Sequence, residues 1–549
     1  MRARLTRGLR WLAIPLACLL AASLTTAGPA HAATFAELQA DGSSWAEPAI
    51  DQWSRDVFNQ GIRIDFSGDG SAAGRQHYIV NQADFAASDI AFLTSPDPFG
   101  AGQEDSAYAY SYLPIVAGGT ALMYNLVVGG KKITNLRLSG DTITKIFTGQ
   151  ITNWSDSRIS HDYGATLPSQ KITVVTRSDG SGASYMFSQW MSKQYTSQWN
   201  AFCRQHGGPS PCPPTEFYPA FAGSVQRNGS DQVANYVASP SFGVGSIGYD
   251  EYAYALNSKL PVVKVLNKAG YYALPTASNV AIALQLAQID ENPNSLTFLM
   301  QNLDKVYTNP DSRTYPISSY SYLIVPRVNR TIGGQTLGPP PRFNNTKGAT
   351  LSTWLNYVLC GAQQKAGDLG YSPLPKNLVV GGFEQVDNIP GHVATPDTSQ
   401  LNGCNNPTYH DGVNHLIVDA PKPSPCDKVG APLNCTVVGG KAVANNSGGG
   451  SGSGGSGSGG SGSGGTGAGG TTPSGAPSGS VKIDPDTGLP IGTDQADAAG
   501  TVNASPVFLS RSLRQSWVYA TLTAVDILLA IAIPGALGAW LRRRRRVRT

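Results

Sequence analysis

The sequence predicts an α/β head of two lobes, and three observations point to it. Strand-like apolar runs alternate with helix-like segments from residue 33 to about 446. Several of the runs end in Gly/Ser-rich turns that open a helix. The stretch is also too long for one ordinary hydrophobic core.

Taken in order, residues 1–32 carry Arg2, Arg4, Arg7 and Arg10, an apolar run from Trp11 to about Leu24, and the small-x-small triplet Ala30-His31-Ala32. This pattern reads as a secretory signal peptide. Gly42-Ser43-Ser44-Trp45 precedes a helix-like segment through Trp53. The strand-like run 62–66 leads into Gly68-Asp69-Gly70-Ser71-Ala72-Ala73-Gly74 and a second helix through Val80, and the run 85–87 ends on Ser88-Asp89. Further strand-like runs cover 122–126, 172–176, 245–249 and 322–325.

The run 172–176 leads into Arg177-Ser178-Asp179-Gly180-Ser181-Gly182-Ala183-Ser184 and a helix over 185–193. A helix N-terminus presents unpaired N–H groups and about half a positive charge, so this junction can hold a phosphate-sized oxyanion without a metal. Arg177 adds a guanidinium fork, and Asp179 can orient it. The plainer alternative is a Gly-Ser turn beside a surface ion pair.

Of the seven cysteines, Cys18 lies in the apolar leader, and the other six belong to an exported chain in which disulfides are expected. Six cysteines allow fifteen connectivities. Proximity favours Cys203 with Cys212 and Cys426 with Cys435, which leaves Cys360 with Cys404. No cysteine or histidine spacing suggests zinc, and His410 and His415, five apart in a loop, read as solvated.

Residues 391–446 form a Cys-containing extension. Residues 447–480 are almost entirely Gly, Ser, Thr, Ala and Pro, and the polar stretch to 506 extends them into a linker of about sixty residues spanning roughly 40–45 Å. Residues 517–541 are long and apolar enough for a transmembrane helix, with Asp526 as the expensive exception. Residues 542–549 hold six arginines and read as a cytoplasmic tail. Ten of the 40 basic residues are therefore terminal arginines, so 30 face 36 acidic ones in the rest of the chain, which argues against nucleic acid as a partner.

With these segments in place, the chain resembles the phosphate-binding proteins of ABC-type phosphate importers. The likeness runs in order through Gly42-Ser43-Ser44-Trp45-Ala46-Glu47-Pro48, Gly70 to Gly74, Asp84-Phe85-Ala86-Ala87-Ser88-Asp89, and Leu113-Pro114-Ile115-Val116-Ala117-Gly118-Gly119. It continues through Ile146-Phe147-Thr148-Gly149-Gln150-Ile151-Thr152-Asn153-Trp154, Arg177 to Ser184, and Gly370-Tyr371-Ser372-Pro373-Leu374-Pro375. The resemblance implies a type II periplasmic-binding-protein fold with hinge crossover strands over residues 33–390. One lobe would comprise about 33–129 and 254–390, the other about 130–253.

By the same resemblance, Ser44, Trp45, Ser71, Asp89, Arg177, Ser181, Gly182 and Ala183 bind inorganic phosphate, with Asp179 orienting Arg177. Ala183 stands where many relatives place Thr, so one hydroxyl is missing unless Ser184 or water substitutes. The implied function is an extracytoplasmic receptor with a monomeric head, anchored in the plasma membrane, that captures phosphate and delivers it to an ABC permease without a cofactor or catalysis. Two alternatives stay open. A phosphatase on the same cleft would need an activated nucleophile, and Ser44, Ser71 and Ser181 lack a nearby histidine base in the sequence. A surface sensor or interaction protein could have kept the fold and use the extension as its contact surface.

Overall fold

In the computed structural model, which describes residues 35–445, the organising element is a sheet of eight strands. In chain order these are β1 (Leu38–Gly42), β2 (Ile64–Ser67), β3 (Phe85–Ser88), β4 (Tyr110–Asn125), β5 (Thr173–Arg177), β6 (Ser224–Arg227), β7 (Ser246–Glu251) and β8 (Ser318–Pro326). Side by side they run β2-β1-β3-β8-β4-β7-β5-β6. At one edge β2, β1 and β3 are parallel, and at the other β7, β5 and β6 are parallel. Between these edges, β8 and β4 run antiparallel to their neighbours.

All sixteen residues of β4 are buried. Its first part, Tyr110 to Gly119, pairs with β8, and its last part, Thr120 to Asn125, pairs with β7. This one strand therefore belongs to both halves of the sheet. Of this strand the sequence pattern marks only the run 122–126; Pro114 and Gly118-Gly119 lie in the part it leaves out. In the structure the register shifts between Ser321 and Tyr322, leaving Ile115 as a bulge beside Pro114, so the ladder tolerates the proline.

Each parallel edge needs crossover connections, and the helices that matter here start just past a strand's C-terminal end. They are α1 (Glu47–Val57) after β1, α2 (Ser71–Ile79) after β2, α3 (Gly182–Gln194) after β5, and α4 (Gly229–Ala238) after β6. The first two belong to one half of the sheet and the last two to the other. Later, α5 (Asn345–Leu359) packs Trp354 on Phe85 with ring centroids 5.6 Å apart. Trp53, Trp154, Trp190, Trp199 and Trp354 are all buried, and such large side chains dominate the core energetics.

Three disulfides join Cys203 to Cys212, Cys360 to Cys404 and Cys426 to Cys435, the pairing that proximity favoured. The extension is tied onto the head. Asn406 donates to the Leu374 carbonyl at 3.0 Å, Arg137 donates to the Cys426 carbonyl at 3.1 Å, and Lys264 pairs with Asp427 at 2.7 Å. The expected signal peptide, the linker beyond residue 445, the transmembrane segment and the arginine tail lie outside the described residues. Among the described residues no helix is long and apolar enough to cross a membrane.

Candidate functional site

Four helix N-termini, two from each half of the sheet, converge beside β4 and β8. The first loop is held by close backbone approach. Gly42 has φ 134°, and a Cβ there would lie 2.1 Å from the Ala87 carbonyl oxygen, so only glycine lets β1 turn against β3 at this point. Beyond it, the Ser44 carbonyl accepts from the Tyr254 hydroxyl at 2.6 Å and the Trp45 carbonyl from the Tyr371 hydroxyl at 2.5 Å. The Trp45 and Tyr371 rings meet edge to face. Two tyrosines thus fix the loop through its carbonyls.

Asp89, at the end of β3, is 2% exposed and collects hydroxyls. Ser43 Oγ lies 2.9 Å from each carboxylate oxygen, Ser71 Oγ donates to Oδ2 at 3.1 Å, and Ser321 Oγ donates to Oδ1 at 2.6 Å. Burial pushes the Asp89 pKa up, and these hydroxyls together with Arg177 oppose that shift without cancelling it.

Arg177, at the end of β5, is 1% exposed and engaged on every side. Its Nε donates to Asp179 Oδ1 at 2.9 Å, and its Nη2 donates to Asp179 Oδ2. Nη1 donates to Ser230 Oγ at 3.0 Å and to Asp250 Oδ2 at 3.2 Å, while Nη2 also reaches Ser44 Oγ at 2.8 Å. Ser230 and Ser44 hydroxyls are 2.7 Å apart, and Ser230 Oγ donates to Asp250 Oδ1 at 2.7 Å. Asp179 further accepts the Gly229 N–H at 3.0 Å, which ties α4 to the arginine. Burial works against the Arg177 charge, but Asp250 and Asp179 outweigh it and keep the guanidinium protonated.

At the start of α3, Ser181 is the N-cap and accepts from the Ser184 N–H at 3.3 Å. Gly182 lies against the opposite half: a Cβ there would sit 2.2 Å from Asp89 Oδ2 and 2.6 Å from Ser71 Oγ. Ala183 is buried, and Ser184 Oγ is bonded to the Tyr249 hydroxyl at 2.6 Å, so Ser184 is committed away from the role of the missing threonine hydroxyl.

All eight residues singled out in the sequence are buried at these junctions, and Asp179 beside them is partly buried; Ser71 bonds to Asp89, while Ser44 and Asp179 bond to Arg177. Sequence reading missed Ser43, Ser230, Asp250 and Ser321. Ser43 lies within the recognised loop Gly42-Ser43-Ser44-Trp45, and Ser230 follows Asn228-Gly229 at a fourth strand-to-helix junction, so both had a local signal. Ser321 sits in mid-strand and had none. The carboxylates Asp89, Asp179 and Asp250 outnumber the single guanidinium of Arg177, so the donors this site offers are mainly N–H and hydroxyl groups and not net positive charge. On the extension, His410, Asp411 and His415 place ligand-type atoms within 4.8 Å of one another, but Asp411 and Asp419 already engage both ring nitrogens of His415.

Comparison with known proteins places the chain in a family. Residues 27–361 match the family model of the PBP superfamily domain. The phosphate-binding protein PstS of Xylella fastidiosa (strain Temecula1) is 30% identical over 365 residues, covering 65% of this chain and 87% of the relative. The phosphate-binding protein PstS2 of Mycobacterium bovis (strain BCG) is 27% identical over 360 residues, covering 64% of this chain and 87% of its own. A crystal structure of a phosphate-binding protein from Stenotrophomonas maltophilia aligns with 65% of this chain and 100% of its own, at 15% identity and a TM-score of 0.44. A mixed α/β sheet whose strand ends converge on a buried Arg and Asp, the family match and the PstS relatives lead to one assignment: the chain belongs to the PstS-like phosphate-binding proteins of the periplasmic-binding-protein superfamily.

Proposed function

We propose that the chain is an extracytoplasmic receptor, tethered by residues 517–541, that closes on inorganic phosphate and delivers it to an ABC-type importer. The observation that supports this reading is the meeting of four helix N-termini, two from each half of the sheet, around the buried side chains of Arg177 and Asp89. Ser44, Ser71 and Ser181 offer hydroxyl donors, Trp45, Gly182 and Ala183 offer backbone N–H groups, and Arg177 offers the cationic fork that Asp179 holds in place. Hydroxyl hydrogens are rotors and can turn from Arg177 or Asp89 towards an incoming oxygen.

Asp89 provides the selectivity. Hydrogen phosphate still carries a proton near neutral pH and can donate it to this carboxylate. Sulfate has none and would set an unpaired negative charge against Asp89 inside a dry cleft, a mismatch of several kcal/mol. Arsenate carries the same proton and competes. Lobes divided within β4 would open to admit the anion and close to bury it.

The test is a calorimetric titration of the full-length chain, stripped of endogenous anion, with phosphate, followed by co-purification from membranes. Tight one-to-one binding and recovery of a phosphate permease support the reading. A well-folded chain that gives no heat with phosphate refutes it, and recovery of a different membrane partner replaces delivery with a sensing role.

A further inference from the structure

We propose that Arg75 and Glu216 are positioning residues for anion capture, an ion pair that closes across the cleft and sets the two anion loops in register; the inference rests on the phosphate-receptor reading above. Arg75 lies on α2, one turn after Ser71, in the half of the sheet that carries Asp89. Glu216 lies between α3 and β6, in the half that carries Arg177. Both side chains, and that of Glu104, are 0% exposed.

The guanidinium is divided between two carboxylates. On its own side, Arg75 Nε donates to Glu104 Oε2 at 2.7 Å and Nη2 to Oε1 at 3.2 Å. Across the cleft, Nη1 donates to Glu216 Oε1 at 2.9 Å and Nη2 to Oε2 at 2.5 Å, a parallel fork. Main-chain bonds carry this pairing to the anion loops. The Glu216 carbonyl accepts the Ser181 N–H at 3.1 Å, and the Gly180 carbonyl accepts the Ala72 N–H from the opposite half at 3.0 Å. Asp97, on the Arg75 side, accepts the Glu216 N–H at 2.8 Å and the Thr215 hydroxyl at 2.7 Å. Ser71 and Ser181 are thus each one or two bonds from the same ion pair.

The arrangement suits a latch that can open. When the halves part, Arg75 keeps Glu104, so no lone cation remains in a core, and Glu216 passes into water. When they close, Glu216 must meet the fork in full, because a buried carboxylate without its partner is strongly unfavourable. Partial closure is therefore penalised, and the loops meet in one register.

The test uses Glu216→Gln, which keeps the shape, and Glu216→Leu, which removes the polar group; both leave Arg75 neutralised by Glu104. Hydrogen exchange on the full-length chain reads the amides of Ala72 and residue 216, whose acceptors lie across the cleft, against those of β4, whose acceptors lie within the sheet. We expect faster exchange at the cross-cleft amides alone, phosphate dissociation about 10- to 100-fold faster, and unchanged discrimination against sulfate. Wild-type exchange and dissociation in both variants would overturn the proposal. Lost discrimination against sulfate would overturn it too, since that places Glu216 on the anion itself. If wild-type protein binds no phosphate, the receptor reading fails, while the exchange comparison still decides the latch.

Discussion

Gly182→Ala adds one methyl group, and the structure says where it goes: 2.2 Å from Asp89 Oδ2, 2.6 Å from Ser71 Oγ and 2.7 Å from Asp89 Cβ. Ordinary contact begins near 3.4 Å, so the gap must widen by more than an ångström. These three nearest atoms all belong to the opposite half of the sheet, so the severest collision arises when the halves meet. Within its own half, residue 182 opens α3, where alanine is a better helix former than glycine. The free chain should therefore melt at or slightly above the wild-type temperature. Closure should bear the overpacking cost of about 1–3 kcal/mol, which weakens phosphate binding about 5- to 150-fold. Calorimetric titration and melting curves with and without phosphate separate the two effects. Wild-type affinity in the variant would refute the cleft geometry, and a marked loss of stability without phosphate would show that Gly182 serves the fold.

Glu47 is largely buried, and desolvation, reinforced by Asp51 and Asp231, pushes its pKa up to about 7. The folded chain then holds this proton more tightly than the unfolded chain, so stability falls as pH rises from about 4.5 to 7 and levels off above; Glu47→Gln should remove that slope, on the order of 2–3 kcal/mol, as read by denaturant titration at several pH values. Asp250→Asn removes one of the two carboxylates on Arg177, so phosphate should bind roughly tenfold tighter while the melting temperature falls, because a buried pair is lost. Among the disulfides, Cys360–Cys404 closes 44 residues and Cys203–Cys212 closes 9, so chain entropy assigns about 4 and about 2.6 kcal/mol to them. Paired serine substitutions should lower the melting temperature more for the first than for the second.

Much of the site was legible because its chemistry is local. A strand, a Gly/Ser turn and a helix start are contiguous, so the junctions that hold Ser44, Ser71 and Ser181 could be read locally, with Arg177 beside Asp179, while the choice of these residues within the junctions came from the family resemblance. What could not be read comes from elsewhere in the chain. Ser321 reaches Asp89 across 232 positions, and Asp250 reaches Arg177 across 73, and nothing in either local sequence marks the contact. Only 122–126 of β4 reads as a strand from the sequence: Pro114 and Gly118-Gly119 are strong local breakers, but pairing on both sides and a bulge at Ile115 override them. The cysteine pairs followed from spacing because two of them are separated by only nine positions.

The most direct test of the central claim is sulfate competition against bound phosphate, with wild-type and Asp89→Asn chains side by side at neutral pH. If Asp89 accepts the proton that hydrogen phosphate carries, excess sulfate leaves wild-type binding untouched, and the asparagine variant binds phosphate more weakly and admits sulfate. Displacement of phosphate by sulfate from the wild-type chain, or unchanged selectivity in the variant, would contradict it.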